Sequence, residues 1–346
     1  MSMSMAGDLE MEQTVCADAR HGTGAWANSN RNAGASTAKA QPQWAGSVTL
    51  GMPQLSGVGL SETWLLETSG DLHWSMVCHR LGAPSHELRD ALGRRVYISF
   101  VAVRVTSECI DQFMEGDLLR YASSLIQCSP TRFESRHSWH CGSKTVEVEM
   151  LSIFLRRRED RGNALEEAQP ARTSEAGPGA GATDLERAFR NQMWKRGGRR
   201  ALQHECAWQP TLALDYNGAG LLYFARYHQI VERAEASVAG ESADVSYALE
   251  RRETYYFGNL DAGESVTVGL SEVSSAGRPR RHQAEIRRSR DGRLMARIVT
   301  VKKRRASAGE GPAGSSGQSL SGLGRVFGRD QHVGARANGS RRNDSI

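Results

Sequence analysis

Asp215-Tyr216-Asn217-Gly218-Ala219-Gly220-Leu221-Leu222-Tyr223-Phe224-Ala225 is the densest polar and aromatic run in the chain. Asp and Asn close turns by bonding to the amides that follow them, and two glycines let the backbone take positive φ and let a ligand come close. Leu222, Tyr223, Tyr227, Ile230, Val231 and Ala234 then recur at helical spacing, which places a helix directly behind the turn. The free N–H groups and positive dipole end of such a helix suit a carbonyl oxygen or enolate that carries developing negative charge. Asp215, Asn217, Gly218, Gly220 and Tyr223 are therefore candidate substrate contacts, although the run taken alone reads more simply as a structural Asx turn and helix cap.

A second cluster comprises Gly51-Met52-Pro53-Gln54-Leu55, Gly59-Leu60-Ser61-Glu62, Trp64-Leu65-Leu66 and Gly70-Asp71-Leu72-His73-Trp74. Ser61 is placed to cap a short helix, and Asp71 to cap a following one that carries Trp74, Val77, Cys78 and Leu81 at helical spacing. His73 sets a titratable ring beside the aromatic face of Trp74, which makes it a candidate acid or base with Ser61 and Trp74 as substrate contacts. A lone histidine is more often a structural core residue. His137, His140 and Cys141, and His204 with Cys206, lack a second ligand pair at zinc-like spacing, so no metal is expected.

These clusters need elements to position them. The chain has 346 residues, enough for about two domains. Its net charge of +5 is concentrated at one end: residues 301–346 hold nine Lys/Arg and three acids, or +6, leaving −1 for the rest. That tail lacks aromatics interleaved with its arginines apart from Phe327, so a nucleic-acid partner is not expected. The six cysteines have no framework spacing, no apolar run approaches a membrane span, and the first 45 residues lack a signal-peptide core. A cytoplasmic protein with free thiols is the expectation.

Residues 1–46 and 306–346 read as disordered ends, and 158–199, rich in Pro, Gly, Ala and charge, as a flexible linker. Two ordered blocks remain, 47–157 and 200–305. Each offers a helix, a β-branched or aromatic strand (96–105 and 249–260), a Gly-acid turn (114–119 and 261–266) and a final hairpin (141–158 and 286–305). Matching features lie about 150 residues apart, as in an internal repeat. One helix on one curved sheet leaves strand edges open, and a second copy would close them. The competing reading is two unrelated α+β domains that share only generic turn signals.

The words GMPQL, GLSETWLL, GDLHW, DYNGAGLLYFARY and YYFGNLDAGE, spanning both blocks, resemble the leinamycin-type bifunctional acyltransferase/decarboxylase family of polyketide biosynthesis. DYNGAGLLYF is also similar to the turn of hot-dog thioesterases in general, so the N-terminal words are the more specific. The resemblance implies an α+β double hot-dog fold, two tandem units of a central helix wrapped by a curved antiparallel sheet. It implies an enzyme that takes an acyl group such as methylmalonyl from coenzyme A, decarboxylates it, and delivers it to an acyl carrier protein. Acyl-CoA and the carrier protein are then the partners, no cofactor is needed beyond the coenzyme A thioester itself, and a homodimer follows by analogy with hot-dog relatives.

The resemblance further implies an acyl-carrying tyrosine in the first block, where only Tyr97 and Tyr121 occur. Tyr97, in the strand after the helix, is the candidate nucleophile, with His73 as its activator, because a phenol of ordinary pKa attacks poorly at neutral pH. Tyr97 as a plain β-sheet core residue stands level with that reading. Two other classes stay open: a hot-dog thioesterase or dehydratase with Asp215 or Glu232 as base, and a non-catalytic carrier-protein docking module.

Overall fold

A computed structural model describes residues 44–158, 162–171, 182–195, 202, 204–239, 247–271 and 280–305, all within the unit 44–346. The expectations for 1–43 and 306–346 lie outside the described residues.

Eleven strands form one sheet: β1 (Ala45–Thr49), β2 (Tyr97–Thr106), β3 (Leu118–Ser129), β4 (Arg132–Cys141), β5 (Lys144–Arg157), β6 (Leu165–Glu167), β7 (His204–Trp208), β8 (Tyr247–Tyr256), β9 (Val266–Leu270), β10 (Arg280–Arg288) and β11 (Leu294–Arg304). The order across the sheet is β1-β3-β4-β5-β2-β8-β11-β10-β9-β7, with β6 on β5 and every pairing antiparallel. Read outward from the middle, each half repeats the same connections. β2 and β8 begin at Tyr97 and Tyr247, and they pair with each other at the centre.

Alternation explains which face each strand buries. On β8, Tyr256 joins the main core while Tyr255 lies in a separate cluster on the other face. Two helices cover the main core, α1 (Glu62–Leu81) and α3 (Arg226–Ala239). Leu65, Leu66 and Leu72 of α1 meet Tyr227, Ile230 and Val231 of α3 in one apolar cluster. At about 1.5–3 kcal/mol for each large side chain fully buried, this shared core is a major source of the stability that holds both halves together.

α1 differs from the expected pair of short helices. Ser61 caps all 20 residues, its Oγ accepting from Trp64 N at 3.3 Å, and Gly82 ends the helix at φ +64°. Asp71 therefore lies inside the helix and caps nothing. The residues just before the expected cap at Asp71 are small, and tertiary contacts use them: Ser69 Oγ accepts from Trp139 Nε1 at 3.2 Å, and a Cβ on Gly70 would stand 2.9 Å from the Phe224 ring. The small residues let α1 pass close beneath the second half.

The stretch 158–199 is likewise more than a linker. It contributes β6 and a helix, α2 (Asp184–Trp194), capped by Thr183 Oγ1, which accepts from Glu186 N at 3.1 Å. Leu185 and Phe189 of α2 pack with Val101, Ala102 and Leu151 on the face away from α1, a docking that its charged, small-residue composition does not reveal.

A buried ion cluster binds the first helix to the second half. Arg252 on β8 is fully buried and donates to Glu62 of α1 at 2.5 Å, to Glu232 and Glu235 of α3 at 3.2 and 3.3 Å, and to Thr300 Oγ1 at 3.2 Å. Lys302 adds a second cation, 2.6 Å from both Glu232 and Glu235. Burial alone would raise the Glu62 carboxyl, but Arg252, His228 and Lys302 outweigh it and hold it below its ordinary value. Removing the guanidinium would strand these carboxylates in the interior. Arg252→Ala is expected to destabilise the fold by about 3–5 kcal/mol, measured as a fall in the urea midpoint.

Candidate functional site

The two central strands pair over only part of their length. Ala102–Thr106 of β2 faces Arg251–Tyr255 of β8, and beyond that the strands part. β2 stays with β5, Tyr97 opposite Leu155, after a register shift between Phe100 and Ala102. The chain leaving β8 instead follows β11, with Phe257 N donating to Met295 O at 2.8 Å. A cavity of about 530 Å³ opens in the gap.

Its walls come from both halves. Tyr97 and Phe100 of β2 and Trp74 of α1 face Asn217, Tyr223 and Phe224 of the turn before α3. The aromatic rings touch in sequence: Trp74 stacks on Phe100 at 5.4 Å, Phe100 meets Phe224 at 4.5 Å, and Phe224 meets Tyr223 at 4.8 Å. Trp74 Nε1 is buried and has no acceptor among the described residues. Arg95 holds its guanidinium 5.5 Å from the centre of the Tyr97 ring. Burial pushes the Tyr223 phenol up, and Asp71 and Glu67 push it further.

The 215–225 run is a small hairpin, not the start of a helix. Tyr216 and Leu222 bridge, Asn217 Oδ1 accepts from Ala219 N and Leu221 N at 3.1 Å each, and α3 begins only at Arg226. These two amides are thus committed to Asn217 and do not point a free donor at a ligand. Of the two glycines only Gly220 takes a positive φ, +66°. Asp215 does not line the cavity; its carboxylate accepts from Thr211 N at 2.6 Å and its carbonyl from Tyr223 N at 2.8 Å. Gly218 and Gly220 also lie off the lining, so their contribution is to the shape of the turn.

His73 and Ser61 stand apart from the cavity as well. Ser61 is the α1 cap. His73 is fully buried, with Nδ1 2.7 Å from Ser135 Oγ and Nε2 2.7 Å from Ser152 Oγ. Both ring nitrogens are occupied, which removes it as the base for Tyr97. Glu232, the other base considered, is committed to Arg252 and Lys302. Tyr121 packs in the core against Trp139, ring centres 4.9 Å apart. Among the described residues no three His, Cys, Asp or Glu side chains gather as metal ligands, and no helix is long and apolar enough to cross a membrane.

Several residues that line the cavity or brace its wall carried no sequence signal of their own. Asn259 lies within the YYFGNLDAGE word, and its side chain splints the hairpin: Oδ1 accepts from Leu222 N at 2.9 Å and Nδ2 donates to Leu222 O at 3.2 Å. Asn163, inside the expected linker, donates to Gly220 O and Leu260 O at 2.8 and 2.9 Å. Arg95, Arg288, Arg290 and Arg293 reach the cavity from strand ends and turns, where isolated arginines look like ordinary surface charge.

No protein-family model and no curated protein matches this sequence. Solved structures do. A 12:0-ACP thioesterase from Umbellularia californica superposes with a TM-score of 0.56 at 10% identity, covering 76% of this chain and 94% of its own. An acyl-ACP thioesterase from Bacteroides thetaiotaomicron gives 0.53 at 8% identity, covering 75% and 97%. The chain has a hot-dog fold. At such identities the likeness carries the architecture and leaves the chemistry to the cavity.

The buried histidines give this hot-dog core a pH signature. Burial, and His137 nearby, hold His73 well below its ordinary value, and burial holds His137 at about 3. A folded state with depressed histidine pKa values binds fewer protons than the unfolded chain once pH falls below about 6.5. Stability is therefore complete above that pH and declines below it, by up to about 1.4 kcal/mol per pH unit for each histidine. His73→Asn should lower stability at pH 7 yet flatten the decline between pH 6 and 5, as read from urea unfolding at each pH.

Proposed function

We propose that the chain is a tandem double hot-dog enzyme of thioester chemistry, an acyltransferase/decarboxylase that moves an acyl group from coenzyme A to an acyl carrier protein. The observation that carries this reading is the cavity between the halves, which sets Tyr97, under the Arg95 guanidinium, in the same lining as the unpartnered Trp74 indole. The aromatic wall suits a short apolar acyl group.

In this reading the Tyr97 hydroxyl attacks the thioester carbonyl of methylmalonyl-CoA. The C–S bond breaks, the phenol proton passes to the departing coenzyme A thiolate, and a tyrosyl ester remains. The C–C bond to the carboxylate then breaks, CO₂ leaves, and the electron pair of that bond forms an enolate that takes a proton from solvent water at carbon. The carrier protein's thiol finally attacks the ester carbonyl and restores the phenol. Arg95 favours negative charge as it develops on the phenol oxygen, and Trp74 Nε1–H is the donor we assign to the carbonyl oxygen or enolate.

A second reading, a thioesterase, is favoured by the names of the solved structures with this fold. There water takes the place of the carrier thiol. Incubation with methylmalonyl-CoA followed by intact-mass measurement separates the two: the transferase reading expects an acyl adduct that disappears in Tyr97→Phe, together with CO₂ and acylated carrier. Free coenzyme A and free acid without carrier acylation would sink it. Trp74→Phe keeps the aromatic packing but lacks the N–H, and is expected to lower kcat by about 100-fold with little change in KM, measured by steady-state kinetics.

A further inference from the structure

Four arginines line the cavity, and three already have partners. Arg95 Nη1 donates to His86 O at 2.7 Å. Arg288 forms a fork with Asp291 at 3.0 and 2.5 Å, and Arg290 pairs with Glu264 at 2.8 Å while its side chain stays 60% exposed. The Arg293 guanidinium has no hydrogen bond or ion pair with any described residue.

The acids in the same lining are already engaged. Glu166 accepts from Arg156 Nε at 2.7 Å, Glu167 accepts from Thr131 Oγ1 at 3.1 Å, and Asp261 accepts from Asn163 N at 2.5 Å. Arg293 lies beside Gly258, where a Cβ would stand 4.0 Å from its Nε, on the lip formed by the β10–β11 turn. Phe100 and Phe224 in the same lining are buried and Trp74 and Tyr223 half-buried, on α1, β2 and the 215–225 hairpin, whereas Arg290 and Arg293 are exposed. A ligand suited to this cavity is apolar at one end and anionic at the other.

We propose that Arg293, with Arg290 beside it, is a subsite for the phosphate ester that ends a pantetheine arm. This rests on the thioester reading above and adds where the arm is gripped. A guanidinium with its donors uncommitted offers paired N–H groups to phosphate oxygens, and Arg290, itself exposed, can exchange its Glu264 partner for a second phosphate contact. The same phosphate occurs in coenzyme A and on the carrier protein, so a subsite here serves loading and delivery alike.

The test is a binding measurement that needs no turnover. Titration calorimetry with pantetheine, phosphopantetheine and coenzyme A is expected to show phosphopantetheine binding at least tenfold tighter than pantetheine. Arg293→Gln, in an exposed turn, should erase that difference while leaving pantetheine affinity and the thermal melt unchanged. Equal affinities for the first two ligands in the unaltered protein, or a difference that survives in both Arg293→Gln and the Arg290→Gln/Arg293→Gln double variant, would overturn the subsite. Comparing holo- and apo-carrier protein tells the sources apart: a holo preference lost in Arg293→Gln supports the subsite on the carrier arm, whereas an effect of Arg293→Gln confined to coenzyme A, absent with phosphopantetheine, would overturn it, because the nucleotide and not the shared phosphate would then make the contact. Binding of this pattern without any acyl transfer would leave the subsite standing and count against the transferase reading alone.

Discussion

The backbone ladder between β2 and β8 governs the rest of the molecule. Each of these strands is paired on its far side, β2 to β5 and β8 to β11, and each offers its remaining edge to the other across five residue pairs. An unpaired central edge carries a row of unmet N–H and C=O groups beside an exposed apolar face. The two halves remove that defect mutually. The ladder also fixes how their helices meet, because α1 and α3 pack over the same face of the joined sheet and share one apolar cluster.

The ladder is short, and its shortness makes the cavity. Had β2 and β8 remained paired along their full lengths, Tyr97–Val101 and Phe257–Asp261 would have closed on one another. The register shift in β2 after Phe100 and the capture of the outgoing β8 chain by β11 separate them. Side chains from both halves then fill the walls: Trp74 and Phe100 from one, Tyr223 and Phe224 from the other. The Arg252 cluster works on the same join from the side of the helices, tying Glu62 at the start of α1 to α3 and β11. Such a cluster contributes specificity of docking more than net stability, since the desolvation of five charges offsets much of their attraction.

Much of this was legible beforehand where the signal was local. Residues 96–105 and 249–260 read as strands because β-branched and aromatic side chains fit a pleated surface, and both hold a central strand, the second ending at Tyr256. The turn at Asp291-Gly292 joins β10 to β11, with Gly292 at φ +68°. Where local chemistry and tertiary packing disagreed, packing prevailed. Asp71 reads as the cap of a second helix, but a Trp139 hydrogen bond to Ser69 and the Phe224 ring against Gly70 give the small residues before it a use inside one long helix. The hairpin at Asn217 reads as a helix start because Leu222 and Tyr223 continue the helical spacing; they face the cavity instead, held by Asn259 and Asn163 from distant parts of the chain.

Of the candidate site, residue type singled out Trp74, Asn217 and Tyr223 and the family resemblance singled out Tyr97, and all four line one cavity; residue type also singled out His73, Ser61, Asp215, Gly218 and Gly220, which do not. A histidine's sequence neighbours say nothing of Ser135 and Ser152, two strands away, that occupy its nitrogens. The arginines at the cavity lip were invisible for the converse reason, since a charge on a turn acquires meaning only from what lies opposite. The sequence by itself determined the two central strands, the Asp291-Gly292 turn and the order in which strands and turns recur, because periodic burial and backbone conformation there are set within a few residues. The tertiary structure alone decided where the cavity lies and which side chains share it, because both depend on two strands about 150 residues apart pairing for one short stretch and then parting.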